Sequence, residues 1–329
     1  MARLPITIAT WDYDRVRPLM DGRVRVEGCD VNYLAMPVEE CFHRAYFHGE
    51  FDVAEIGLSP FLIALSRGRA PYVAIPAFVS RTFRHSAIYI RSDRGIGTAG
   101  DLRGKRIGVP EYQQSAALWV RGFLLDDFGI RHTDIHWVQG GLEQFGRKDK
   151  FPLNLPPGFA LESSSGESLS ALLANGEIDA IISARAPSCL GRAGAQVKRL
   201  FPDYRAVEQD YFRRTGLFPL MHAIGVRQDM AQEHPWLAAS IYKAFAEAKR
   251  IADADLKEVT ALKIGLPWVT AELEATQQVM GEDFWPYGVA ANRPALEAMT
   301  RYSCEQGLAV RKLLVEEIFA PETLEAVHV

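Results

Sequence analysis

The 329 residues are 48% hydrophobic and 24% charged, with a formal net charge of −4 at neutral pH. That size suits two lobes better than one small core, and the composition excludes a disordered or fibrous protein. The slightly acidic balance, without long Lys or Arg runs, argues against nucleic acid as a partner. No apolar run reaches the ~20 residues that span a bilayer, so no membrane association is expected.

From the N-terminus, Met1-Ala2-Arg3-Leu4-Pro5 leads directly into Ile6–Thr10, which reads as the first strand. No basic, apolar and small-residue succession of a secretory leader precedes it, and a cytoplasmic location is expected. Cys29, Cys41, Cys189 and Cys304 are widely spaced and form no CxxC pair, which predicts reduced thiols. Short β-branched runs predict further strands at Asp30–Ala35, Val53–Ile56, Val73–Phe78 and Ala87–Arg91. Others follow at Arg106–Val109, Ile135–Val138, Ala180–Ser183 and Ala223–Arg227. Helical patterns occupy Glu39–His48, Ser115–Phe128, Leu169–Asn175, Pro235–Ala254 and much of Arg293–Gln306. The alternation of the two kinds predicts α/β architecture. Between Gly140 and Gly166 the rhythm breaks into a stretch rich in Gly and Pro, with Arg147-Lys148-Asp149-Lys150 inside it. It is too long for an ordinary connection and reads as a hairpin-bearing excursion or a lid near a site.

This order predicts two lobes joined by two extended crossings, Ser80 to Arg91 outward and Phe218 to Arg227 back. Lobe one would combine residues 1–85 with 220–329, the C-terminal helices packing back on it, and lobe two would be 86–219. Ligands of open α/β sheets sit beyond the carboxyl ends of strands, which places a ligand in the cleft between the lobes. Closure of the lobes can exclude water there.

The crossings and strand ends hold the candidate site residues. Arg81, Arg84 and His85 form a dense polar cluster on the first crossing. An Arg fork matches a carboxylate, and a His moves protons near neutral pH. Strand alternation points Arg81 and His85 one way and Arg84 the other, so the three need not share one site; the alternative for both arginines is surface ion pairing. Glu55 ends a strand ahead of Gly57-Leu58-Ser59, where it can meet a ligand hydroxyl or pair structurally with an Arg, and Ser59 is a candidate contact. Tyr112, Gln113 and Ser115 lie where a strand passes into a helix, and N–H groups at a helix start attract anions. His222 stands in an apolar strand on the return crossing, a place where histidines are commonly core residues, and Arg185 follows a lobe-two strand. Metal sites are not expected: His132 and His136 enter a strand, and His43 and His48 diverge by about 140° around a helix. The sequence carries no dinucleotide fingerprint, phosphate-binding loop, nucleophile elbow or catalytic CxxC.

Beyond these single residues, a set of segments resembles the 4,5-dihydroxyphthalate decarboxylase family along almost the whole chain. It includes Trp11-Asp12-Tyr13-Asp14-Arg15, Gly49-Glu50-Phe51-Asp52-Val53-Ala54-Glu55, Phe83-Arg84-His85-Ser86 and Asp101-Leu102-Arg103-Gly104-Lys105. Phe218-Pro219-Leu220-Met221-His222 and Trp285-Pro286-Tyr287-Gly288 follow in the same order. Asp-Leu-Arg-Gly-Lys is common in solute-binding proteins; the Phe-Arg-His, Met-His and Trp-Pro-Tyr-Gly pieces are specific. Gln114-Ser115-Ala116 departs from the Met-Thr-Ala expected of close relatives, which puts the ring contacts in question. The resemblance implies an α/β, two-lobed periplasmic-binding-protein-like (type II) fold with two inter-lobe crossings. It implies a carboxy-lyase that releases one carboxylate of a dihydroxylated aromatic diacid as CO2, giving protocatechuate from 4,5-dihydroxyphthalate. A hydroxyl para to the leaving group makes the ring its own electron sink, so no cofactor is expected. His85 and His222 are then the proton-transfer candidates, with His85 the preferred donor, and Glu55 the phenol acceptor. Arg81 or Arg84 would clamp the retained carboxylate, with Tyr112, Gln113, Ser115 and Arg185 completing the contacts. The expected partner is a small aromatic carboxylate, with a homo-oligomer left open. The alternatives are a solute-binding receptor, which the fold alone equally allows, and another cytosolic lyase on the same scaffold.

Overall fold

The computed structural model of the chain describes residues 2–325 apart from 148, 154, 156–158, 160, 165 and 195. β1 (Leu4–Thr10) opens it as the sequence predicts, with Ile6, Ile8 and Ala9 buried. A short helix α1 (Arg17–Met20) leads to β2 (Cys29–Ala35), which runs parallel to β1 from Leu4↔Cys29 to Thr10↔Ala35. α2 (Val38–His48) stops at Gly49, whose φ of +57° is the left-handed cap that glycine adopts without a Cβ clash. β3 (Val53–Gly57) is buried at all five residues and passes directly into α3 (Leu58–Ser66), which is buried on nearly every side. β4 (Tyr72–Arg81) ends this part of the chain.

The middle segment supplies β5 (Ile88–Arg91), β6 (Arg106–Val109), α4 (Ser115–Phe128), β7 (His136–Gln139), β8 (Leu161–Ser163), α5 (Leu169–Asn175), β9 (Ala180–Ile182), β10 (Val197–Arg199) and α6 (Tyr204–Thr215). The chain returns as β11 (Leu220–Arg227) and closes with α7 (Gln228–Glu233), α8 (Leu237–Leu256), α9 (Val269–Met280) and α10 (Arg293–Glu305).

Two sheets result. The first has the order β2-β1-β3-β11-β4 and the second β10-β5-β9-β6-β7-β8. β11 is antiparallel to both neighbours and separates two strands that are consecutive in the outward chain, β3 and β4. Residues 82–87 carry the chain from the first sheet to the second, and residues 216–219 bring it back. The two passages touch where the Thr82 N–H donates to the Pro219 carbonyl at 3.3 Å. The first sheet thus draws on both ends of the chain and the second on the middle alone.

The C-terminal helices divide between these halves. α8 lies along the first sheet. α10 instead docks on α4 of the middle segment as well as on α3. Gly122 permits this: a Cβ there would come within 2.3 Å of the Tyr302 ring. Tyr302 Oη donates to Asp126 at 2.5 Å, Arg121 Nε to Gln306 Oε1 at 2.6 Å, and Gln306 Nε2 to the Leu118 carbonyl at 3.0 Å. Among the described residues no helix is long and apolar enough to cross a membrane.

Candidate active site

β11 fixes the heart of the site. Its register sets His222 opposite Gly57 of β3 on one side and Ser80 of β4 on the other. All three line a cavity of about 510 Å³ between the two sheets. Behind His222 lies Glu55, wholly buried, two residues earlier on β3 than Gly57. His222 Nδ1 stands 2.6 Å from Glu55 Oε1, and Tyr13 Oη donates to the same oxygen at 2.7 Å. The Trp11 backbone N–H donates to Oε2 at 2.9 Å. Burial pushes the Glu55 carboxyl up, but the bonds from His222, Trp11 and Tyr13 outweigh it, so its pKa falls below the ordinary carboxylate value. Burial and the adjacent Glu55 charge raise the Tyr13 phenol far above its usual range, which keeps it a donor. With Nδ1 committed to a carboxylate, His222 has Nε2 left, which bonds no described residue, and its side chain is 18% exposed. The Phe42 ring meets the imidazole edge-on at 4.8 Å. The arrangement can hold an imidazolium in one orientation and present its second N–H to a ligand.

The cavity also receives cations. Arg84 lines it, makes no ion pair with a described residue, and has its Nε buried without a partner. Burial lowers the Arg84 guanidinium to about 10, so it stays charged at neutral pH. Arg185, exposed after β9, lines the wall likewise and bonds no described carboxylate. The third cation, Lys150, comes from the irregular excursion and is already matched, 2.9 Å from Glu111 Oε2 and 3.5 Å from Glu39. Arg147 joins the same cluster, bonding Glu111 at 2.5 Å and Glu39 at 2.7 Å. Glu39 stands in the first turn of α2, so these pairs tie the excursion to the other side of the cleft. A second space of about 580 Å³, walled by residues 141–147, shares Glu39, Gln114, Ala184 and Arg185 with the first and continues it outward.

Of the residues expected from sequence, His222, Arg84, Ser115 and Arg185 line this cavity, with Glu55 directly behind. The others serve elsewhere. His85 lies in an aromatic box, stacked on Phe123 at 4.1 Å with Tyr211 and Phe201 beside it, and is 2% exposed. Burial lowers its pKa to about 4, so it is neutral at physiological pH, and its Nδ1 has no partner. Arg81 is buried, and its two terminal nitrogens donate to the Phe218 carbonyl at 2.8 Å and the Pro286 carbonyl at 3.2 Å. It therefore binds the return passage to the C-terminal part rather than facing the cavity. Glu55 is wholly buried and already accepts three protein hydrogen bonds, so a ligand hydroxyl does not meet it directly. Ser59 gives its N–H to Ser115 Oγ at 3.1 Å, and that hydroxyl donates to the Met221 carbonyl at 3.0 Å. The pair joins α3, α4 and β11. Gln113 holds the Phe151 backbone through both ends of its amide, and Tyr112 lies under Arg121, whose guanidinium is 3.7 Å from the ring centroid. Trp11, Tyr13, Glu39, Phe42, Ser80 and Lys150 line the cavity without having been singled out as site residues.

No family model matches the chain. It is 43% identical over 327 residues to the 4,5-dihydroxyphthalate decarboxylase of Comamonas testosteroni, covering 99% of both chains. It is 45% identical over 214 residues to the protein of the same name from Pseudomonas putida, covering 65% of this chain and 83% of that one. Among solved structures, it resembles the periplasmic aliphatic sulphonate binding protein SsuA of Escherichia coli, with a TM-score of 0.54 and 16% identity over 98% of this chain and 99% of that one. SsuA of Xanthomonas axonopodis pv. citri, solved with MOPS bound, gives a TM-score of 0.50 and 15% identity over 97% and 98%. These likenesses establish the two-lobed periplasmic-binding-protein fold.

Proposed function

The chain belongs to the 4,5-dihydroxyphthalate decarboxylase family, and from that premise we propose how its own cavity carries out the carboxy-lyase reaction. The substrate is 4,5-dihydroxyphthalate or a close hydroxylated phthalate. The observation that carries this reading is the charge inventory of the cavity. Two guanidiniums, Arg84 and Arg185, remain without a carboxylate among the described residues, beside an imidazole backed by a buried carboxylate. A vicinal diacid supplies two negative charges to such a site. Arg84 takes the retained carboxylate, its planar fork fixing the plane of the ring.

His222 is the proton donor. Glu55, itself fixed by Tyr13 and the Trp11 N–H, holds the imidazolium, and Nε2–H delivers the proton to the ring carbon that carries the departing carboxylate. The C–C bond then breaks, CO2 leaves, and its electron pair restores the ring. The ring serves as electron sink, so the step draws on no organic cofactor. His85 has a structural part in this scheme. Residues 1–85 with 220–329 form one lobe and 86–219 the other, and the enzyme works in the cytoplasm without a nucleic-acid partner.

The test is incubation of the purified protein with a panel of hydroxylated phthalates while CO2 and the aromatic product are measured. Release of CO2 with formation of 3,4-dihydroxybenzoate is expected. Tight binding of an unchanged diacid after prolonged incubation would instead make the protein a receptor.

A further inference from the structure

Decarboxylation of a phenolic acid needs a group that accepts the phenol proton as well as one that supplies a proton to carbon. Glu55 does not face the cavity as an acceptor, because it is fully buried behind His222 and already accepts three protein hydrogen bonds. Among the described residues that line the 510 Å³ cavity, Glu39 is the sole carboxylate. It is half-buried in the first turn of α2, and both of its ion pairs, to Arg147 and Lys150, go through Oε2. Oε1 makes no hydrogen bond to a described residue. On these grounds, and resting on the decarboxylase reading above, we propose that Glu39 is a catalytic residue that accepts the proton of the ring hydroxyl para to the departing carboxylate.

The step balances. The hydroxyl proton passes to Glu39 Oε1, and the oxygen lone pair pushes electron density to the para carbon, which takes a proton from His222 Nε2. Loss of CO2 returns an electron pair to the ring, whose oxygen recovers its proton from Glu39. His222 is reprotonated from solvent, so one proton is consumed for each CO2 released. The charged groups facing Glu39 are Arg147 and Lys150 of the excursion and His222 of β11. Burial raises its carboxyl, and these three cause a larger opposite shift, so it is ionised and ready to accept at neutral pH.

Glu39→Gln keeps the size of the side chain and removes the acceptor, and Glu39→Asp restores a carboxylate one methylene shorter. For Glu39→Gln, kcat on 4,5-dihydroxyphthalate is expected to fall about 100-fold or more, with partial recovery in Glu39→Asp. Calorimetric binding separates chemistry from structure. Phthalate, which has no hydroxyl, should bind the Gln variant as it binds the parent. The parent's preference for 3,4-dihydroxybenzoate over benzoate should shrink about tenfold, the worth of a hydrogen bond to a charged group. Parent-like kcat in Glu39→Gln would overturn the inference. So would equal weakening of phthalate and 3,4-dihydroxybenzoate, which would mark Glu39 as only an anchor for Arg147 and Lys150. Failure of the parent itself to release CO2 would count against the decarboxylase reading instead.

Discussion

Glu55→Gln preserves the shape of a buried side chain and removes its charge. The carboxylate receives His222 and Tyr13 at Oε1 and the Trp11 N–H at Oε2. An amide has one acceptor oxygen, so in either orientation its NH2 faces a protein donor or forces His222 to change tautomer. A buried donor left unpaired costs about 1–3 kcal/mol, partly offset because a neutral amide is easier to bury than a carboxylate. The expected net loss is about 1–2 kcal/mol of stability. Turnover should fall about 100-fold or more, because the imidazolium loses the charge that holds it. Glu55 has a depressed pKa when folded, so its contribution is complete above the ordinary value of 4.5 and is lost as pH falls through the folded value. The stability gap between parent and variant should therefore be widest at neutral pH and close in acid. Urea unfolding at pH 7 and in acid, with single-turnover CO2 release at pH 7, measures both parts. A variant with parental turnover and an unchanged urea midpoint at pH 7 would refute the reasoning.

His85→Phe should fold and retain most turnover, since the residue sits in an aromatic box away from the lining of the cavity. With a folded pKa of about 4 against an ordinary 6.5, His85 makes the parent lose stability as pH falls from about 6.5 toward 4. Calorimetric melting across that range should show a shallower slope in the variant, partial because His132 is depressed in the same way. Arg84→Lys keeps a charge and loses the fork, and phthalate should bind about 10–100-fold more weakly. Arg81→Lys should bind phthalate normally and melt earlier, because its bonds go to the Phe218 and Pro286 carbonyls; the reverse ranking, measured by calorimetry, would reassign the clamp. Gly122→Ala places a Cβ within 2.3 Å of Tyr302 and should cost about 1–3 kcal/mol by chemical denaturation.

The fold was legible because its strands are short β-branched runs with clear punctuation. α3 was not, since Leu58–Ser66 is apolar almost throughout and shows no helical stripe. α6 and α9 also went unassigned. The site was legible in part. Strand alternation grouped Arg81 with His85, but β4 ends at Arg81 and the chain then enters a 3-10 turn at His85–Ala87. Past that point a period of two no longer says where a side chain points. His222 looked like a core residue, and only the register that aligns it with Gly57 and Ser80 brings it to the cavity. Glu39 and Lys150 meet across the cleft from a helix start and an irregular excursion, a pairing that local patterns do not encode.

The position of β11 has a consequence for how the protein is made. As synthesis proceeds, β3 and β4 emerge early, yet each awaits on one edge a partner that lies beyond the entire middle segment. Until that strand leaves the ribosome, the nascent first sheet carries unpaired backbone edges that can recruit a neighbouring chain. The second sheet draws only on residues between Ile88 and Arg199 and can pair before then. Within the first sheet the last strand to be threaded is then the one that bears His222, so the imidazole meets Glu55 only after the whole middle segment has been made.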